Sequence, residues 1–228
     1  MQVFGHRGAA GYSPENSLPS FRKALSMHVD GVEFDVRITK DEVPVVIHDE
    51  TLDRTTSVSG SVADFSSMEL RRLLAAQAER VPTLFDVIRE VRTVTRINVE
   101  LKEIQACEPT FRLLERCVDD AIIENHQILL TSFEHAAVER FRALSDHYAV
   151  GLLTKGTPAD AYWELANRLR AASANIDLAS VNSDFVHRAH RQGLAVMVYT
   201  VNFRDDALGM KQLGVDAIFS DFPDRVRV

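Results

Sequence analysis

Two short stretches of this 228-residue chain place charged or polar side chains at every second position. Glu33, Asp35 and Arg37 alternate with Val32, Phe34, Val36 and Ile38, and Asn98, Glu100 and Lys102 alternate with Ile97, Val99 and Leu101. A period of two is that of a β-strand, so each polar set shares one face. An isolated strand that is wet on one side satisfies the same pattern. Buried together, however, three carboxylates need positive charge or protons among them. Glu33, Asp35 and Glu100 make an all-oxygen set suited to a hard divalent cation, Mg²⁺ or Ca²⁺, whereas zinc favours histidine or cysteine. The alternative is a metal-free ion network in which Arg37 and Lys102 neutralise the acids.

Two histidines stand where proton transfer could serve such a centre. His6 ends the first β-like run, and His48 ends a short run that follows Glu33 and Asp35. With intrinsic pKa values near neutrality, one can act as general base and the other as general acid. Arg7, beside His6, is either a surface residue or a planar clamp for phosphate. Gly5, Gly8 and Gly11 around it suit a sharply turning backbone that a ligand can approach closely. The segment Ser13-Pro14-Glu15-Asn16-Ser17 reads as a turn leading to a helix N-cap.

These residues need a scaffold that brings several strand ends together. β-branched runs at 2–5, 31–38, 96–101, 127–131, 148–153, 177–181, 195–201 and 216–220 alternate with helix-like segments at 18–27, 84–94, 135–145, 158–172, 185–192 and 204–213. That βαβα order with about eight strands predicts an α/β fold, a TIM-type (β/α)8 barrel, with an open doubly wound sheet as the rival. In a barrel, helices cover the outer face of each strand, so the apolar sets face outward and the carboxylates point inward. The histidines then lie at the C-terminal strand ends, where barrel enzymes build their sites. An extra strand at 44–48 and a helical turn at about 66–75 break the alternation. Residues 49–80 are therefore expected to be a small insertion within a single domain spanning 1–228.

Composition narrows the classes without naming one. Hydrophobic residues at 46% and charged residues at 26% are ordinary for a globular chain. A net charge of −7 argues against nucleic acid or anionic lipid as a partner, while a small anionic substrate remains compatible with a locally positive pocket. Cys107 and Cys117 fall in one helical segment, too far apart along a rigid helix to pair as a disulfide. The first residues lack signal-peptide regions and no apolar run could span a bilayer, so a cytoplasmic protein without stable membrane association is expected.

The motifs together resemble the glycerophosphodiester phosphodiesterase family over nearly the whole chain. The strings are His6-Arg7-Gly8 with Pro14-Glu15-Asn16-Ser17, Glu33-Phe34-Asp35-Val36, His48-Asp49-Glu50-Thr51-Leu52-Asp53-Arg54-Thr55-Thr56, Pro82-Thr83-Leu84, Glu100-Leu101-Lys102, Thr200-Val201-Asn202 and Gly214-Val215-Asp216-Ala217-Ile218-Phe219-Ser220-Asp221-Phe222-Pro223. The resemblance implies an acid/base pair of His6 and His48 and a divalent cation, Mg²⁺ or Ca²⁺, held by Glu33, Asp35 and Glu100. It further implies phosphate binding by Arg7 and Lys102, with Glu15 and Tyr199 also at the substrate. The implied reaction is hydrolysis of a small glycerophosphodiester to an alcohol and sn-glycerol 3-phosphate. Three departures stand out. Ser17 replaces the family's usual threonine, Tyr199 stands where tryptophan is common, and the segment before Pro82 is short, which bears on substrate size.

Two other readings remain compatible with these residues. A phospholipase of the phosphatidylinositol or sphingomyelinase type uses a similar barrel and similar histidines, but would want exposed apolar loops for its membrane substrate. A non-catalytic phosphate-binding barrel would keep the carboxylates and bases as a neutral network.

Overall fold

The computed structural model describes residues 1–75 and 81–228. In chain order the elements are β1 (Gln2–His6), α1 (Leu18–Ser26), β2 (Gly31–Ile38), β3 (Pro44–Val46), α2 (Ser67–Ala75), α3 (Leu84–Val91), β4 (Arg96–Leu101), α4 (Cys107–Asp119), β5 (Ile128–Ser132), α5 (His135–Leu144), β6 (Ala149–Thr154), α6 (Asp160–Arg168), β7 (Ser173–Asp177), α7 (Ser183–Arg191), β8 (Ala195–Tyr199), α8 (Arg204–Leu213) and β9 (Ala217–Ser220). Eight of the strands pair in parallel around a ring that β1 closes by bonding both β2 and β9. This is the TIM-type barrel expected from the alternation; closure excludes the open sheet.

The parity of β2 and β4 divides as the pattern requires. Val32, Phe34, Val36, Ile97, Val99 and Leu101 are buried in the large core between strands and helices. The opposite parity faces the barrel axis, where Asp35 is registered with Glu100 and Glu33 with Asn98. A second apolar cluster of Phe4, Leu129, Met197, Ala217 and Phe219 fills another part of the interior. Local chemistry sets the helix ends. Ser17 caps α1, Thr83 and Asp86 form a reciprocal capping box on α3, and Gly214 ends α8 in the left-handed conformation at φ 86°.

The strand expected at 177–181 is displaced. The chain pairs through Ser173–Asp177, and Asp177 instead ends the strand, its carboxylate accepting from Gly156 N and Ser180 Oγ. The helix expected over 158–172 stops at Arg168, and Arg170 turns left-handed at φ 49° to feed β7. Both cysteines lie on α4, buried and free.

The insertion after β2 has a packed structure of its own. β3 runs antiparallel to β2, with Val46 opposite Val36. Val45, Ile47, Leu52, Val62 and Leu70 bury one another in a small separate core. The last residues of the expected insertion, 76–80, lie outside the described residues.

Candidate active site

The carboxylates converge. One oxygen each from Glu33, Asp35 and Glu100 lies within 4.8 Å of the other two, the arrangement a single metal ion needs. All three are buried, at 4%, 1% and 9% exposure. Removal from water and repulsion by Asp35 push Glu33 up to about 8 and Glu100 up to about 7. Asp35 is also desolvated, but the charges of Arg7 and Lys102 outweigh this and hold it below the usual range.

Cations approach the trio without fully neutralising it. Lys102 Nζ lies 2.6 Å from Glu100 and 3.5 Å from Asp35, and Arg7 Nε lies 3.3 Å from Asp35. Arg37 does not join them. Its guanidinium instead bonds the carbonyl of His48 at 2.9 Å and pairs with Glu103 at 3.4 Å. Among the described residues Arg7 and Lys102 are the arginine and lysine on the trio, two against three acids, and burial together with that excess of acid raises two of the carboxyl pKa values. An all-oxygen, electron-rich cluster of this kind fits a hard divalent cation.

His6 and His48 flank the cluster. His6 Nε2 is 3.9 Å from Glu33, and its Nδ1 is 2.7 Å from Asp221. Burial lowers the His6 pKa, but the bond to Asp221 and the charge of Glu33 prevail and raise it. His48 Nδ1 is 2.6 Å from Asp49. Desolvation dominates there and lowers the pKa despite Asp35 and Asp49.

The β1–α1 loop curls back over the cluster. Arg7 adopts φ 51° and Gly8 φ 86°, and a side chain on Gly8 would strike Ser20. This turn aims Arg7 N at Glu33, 3.0 Å away, and its guanidinium at Glu15, 2.8 Å away. Glu15 is also bonded by Arg54, so its carboxylate is engaged by two arginines. Tyr199 ends β8 with its hydroxyl on Thr154 O at 2.7 Å and its ring edge against Phe133 at 5.8 Å. Phe133 in turn lies 5.9 Å from Lys102 Nζ, which puts an exposed aromatic beside the acidic cluster.

Several of these residues had no assigned role from sequence. Asn16 donates to Asp35 at 2.8 Å from a buried, left-handed position at φ 56°, and so orients one of the acids. Asp221 supports His6 and is itself held by the Asn202 amide at 2.8 Å. Asp221 lay in a motif string, but its partner is 215 positions away and only β1–β9 pairing joins them. Asp49, next to His48, carried a local signal.

A (β/α)8 barrel with charged groups gathered at the C-terminal ends of its strands defines a βα-barrel enzyme. The family model of the glycerophosphoryl diester phosphodiesterases matches residues 6–225, and the chain belongs to that family. Relatives named glycerophosphodiester phosphodiesterase include one from Bacillus altitudinis, 34% identical over 98% of this chain and 96% of its own length. Another, from Caldanaerobacter subterraneus, is 31% identical over 97% and 94%. Among solved structures, an Oleispira antarctica phosphodiesterase in complex with the product sn-glycerol-3-phosphate superposes with a TM-score of 0.89. It is 29% identical, covering 99% of this chain and 95% of that one. Among the described residues no helix is long and apolar enough to cross a membrane.

Proposed function

We propose that the chain hydrolyses small glycerophosphodiesters to an alcohol and sn-glycerol 3-phosphate in a divalent-cation-dependent reaction. The observation that carries this reading is the convergence of Glu33, Asp35 and Glu100 to within 4.8 Å, with His6 beside Glu33. When bound by these three residues, Mg²⁺ or Ca²⁺ would supply positive charge for a phosphoryl oxygen and acidify a nearby hydroxyl. Arg7 and Lys102 bind the remaining phosphate charge, and Glu15 fixes the direction of Arg7. Tyr199 packs beside the substrate.

His6 and His48 divide the proton transfers, each presenting Nε2 because a carboxylate holds Nδ1. One takes the proton of the neighbouring glycerol hydroxyl as its oxygen bonds phosphorus. The other gives a proton to the alcohol oxygen as its bond to phosphorus breaks. Water then opens the resulting cyclic phosphate with the two roles exchanged, leaving sn-glycerol 3-phosphate. The setting we propose is a single domain over 1–228 in the cytoplasm, a compartment in keeping with two free cysteines.

The test is turnover of glycerophosphocholine against phospholipid vesicles, with Mg²⁺, with Ca²⁺ and after EDTA. Soluble diester cleavage that EDTA abolishes is expected. Alanine at His6 or His48 should cut turnover by a factor of about 100 or more. Full turnover after chelation, or in either purified alanine variant, would remove the corresponding part of the proposal.

A further inference from the structure

Arg54 belongs to the insertion, outside the barrel, yet it touches both sides of the candidate site. Its Nε lies 2.5 Å from Asp49 Oδ2 and its Nη2 lies 3.0 Å from Asp49 Oδ1. The same guanidinium reaches Glu15 through Nη1 at 2.9 Å and Nη2 at 2.7 Å. Each carboxylate it binds holds one functional side chain. Asp49 bonds His48 Nδ1 at 2.6 Å, and Glu15 bonds Arg7 Nη1 at 2.8 Å. The line therefore runs His48, Asp49, Arg54, Glu15, Arg7 and on to Asp35 of the acidic cluster, alternating in charge from Asp49 onward.

We propose that Arg54 is a positioning residue that sets the spacing between His48 and Arg7. This rests on the function proposed for those two residues. A guanidinium suits the task because its rigid planar fork holds two carboxylates at once; an ammonium has no such fixed spread. Its backbone is anchored from below. Leu52, two residues earlier, is fully buried in the small core of the insertion with Val45, Ile47, Val62 and Leu70. That core therefore has a catalytic consequence: it seats the turn from which Arg54 reaches across to the β1–α1 loop. His48 is held from the other side as well, its carbonyl bonded by Arg37, so Arg54 acts on an imidazole whose backbone is already fixed.

Half of the Arg54 side chain faces solvent, so its loss should spare the fold. The arms it releases would then be held only by their own carboxylates. Misplacing a reacting group by about 1 Å can cost roughly 100-fold in rate.

The experiment compares Arg54→Ala, Arg54→Lys and His48→Ala with wild type in steady-state turnover of glycerophosphocholine with Mg²⁺. Melting temperature is the control for folding. Arg54→Ala should lose about 10- to 100-fold in kcat with a smaller change in KM, at a melting temperature near wild type. Arg54→Lys should recover part of that loss, and added guanidinium should restore kcat in Arg54→Ala but not in His48→Ala. A double-variant cycle supplies a reading independent of folding. If Arg54 works through Asp49, Arg54→Ala should cost less in an Asp49→Asn background than alone. Wild-type kcat in Arg54→Ala alongside an inactive His48→Ala would overturn the positioning role while leaving the reaction intact. An active His48→Ala would instead overturn the assignment of the histidine and the role of Arg54 with it. Fully additive losses, or a loss that neither lysine nor guanidinium repairs, would also refute positioning.

Discussion

Cation binding by the acidic trio should release protons, and the number can be worked from the site. Glu33, raised to about 8, and Glu100, raised to about 7, titrate together with Asp35, so the trio holds roughly one proton at pH 7. A divalent ion needs carboxylates, so binding should displace roughly one proton at pH 7 and progressively fewer as the pH rises past about 8. Apparent affinity should therefore rise roughly tenfold per pH unit around neutrality, then flatten. Titration calorimetry of Mg²⁺ into EDTA-treated protein, repeated in buffers of different ionisation enthalpy, measures the release directly. A release below about 0.3 proton at pH 7 would refute the reasoning, since it would mean that Lys102 and Arg7 already keep all three groups ionised.

Stability follows with a definite sign. The folded pKa values of Glu33 and Glu100 lie above the ordinary 4.5, so the folded chain binds more protons than the unfolded one across that window. Cation-free protein should consequently lose melting temperature as pH rises from about 4.5 to about 8, and the stabilisation by Mg²⁺ should grow over the same range.

Two further outcomes concern neighbours of the trio. Asp221→Asn removes the charge on His6 Nδ1 and permits the wrong tautomer; turnover should fall about 100-fold or more, and the pH-rate limb belonging to His6 should move to lower pH. Unchanged turnover with an unshifted limb would show that His6 does not depend on that bond. Deeper in the barrel, Asn98 Oδ1, Ser173 Oγ and both amide atoms of Asn175 are buried without a hydrogen-bond partner among the described residues. Each such group costs roughly 1–3 kcal/mol if left bare, so a high-resolution crystal structure should show ordered waters bonded to these atoms. Density showing side chains rotated to bond one another, with no water between them, would contradict this.

How far the sequence reached depended on the range of the interaction concerned. Alternation is local, so the shared face of Glu33, Asp35 and Glu100 was legible from β2 and β4 alone. His6 ends β1 as expected, whereas the strand expected at 44–48 stops at Val46 and His48 lies two residues beyond it. β7 was misplaced because Ser-Ala-Asn-Ile-Asp carries a single β-branched residue, whereas the following Asp-Leu-Ala-Ser-Val offered no stronger reason to be a turn than to be a strand. Pairing with β6 and β8 decided between them.

Parity also names a face without naming a destination. Arg37 and Asp35 share a side of β2, yet Asp35 lies in the acidic cluster and Arg37, nearer the rim, turns to His48 and Glu103.

By itself the sequence determined the barrel order, the inward carboxylates and the two imidazoles, because strand period and residue type are properties of a few neighbouring positions. The tertiary structure alone decided which carboxylate bonds each of these side chains. Asp221 reaches His6 because β9 closes on β1, and Arg54, from the insertion, bonds both Asp49 and Glu15 of the β1–α1 loop. Such partners are chosen by ring closure and packing between distant segments, which no local pattern encodes.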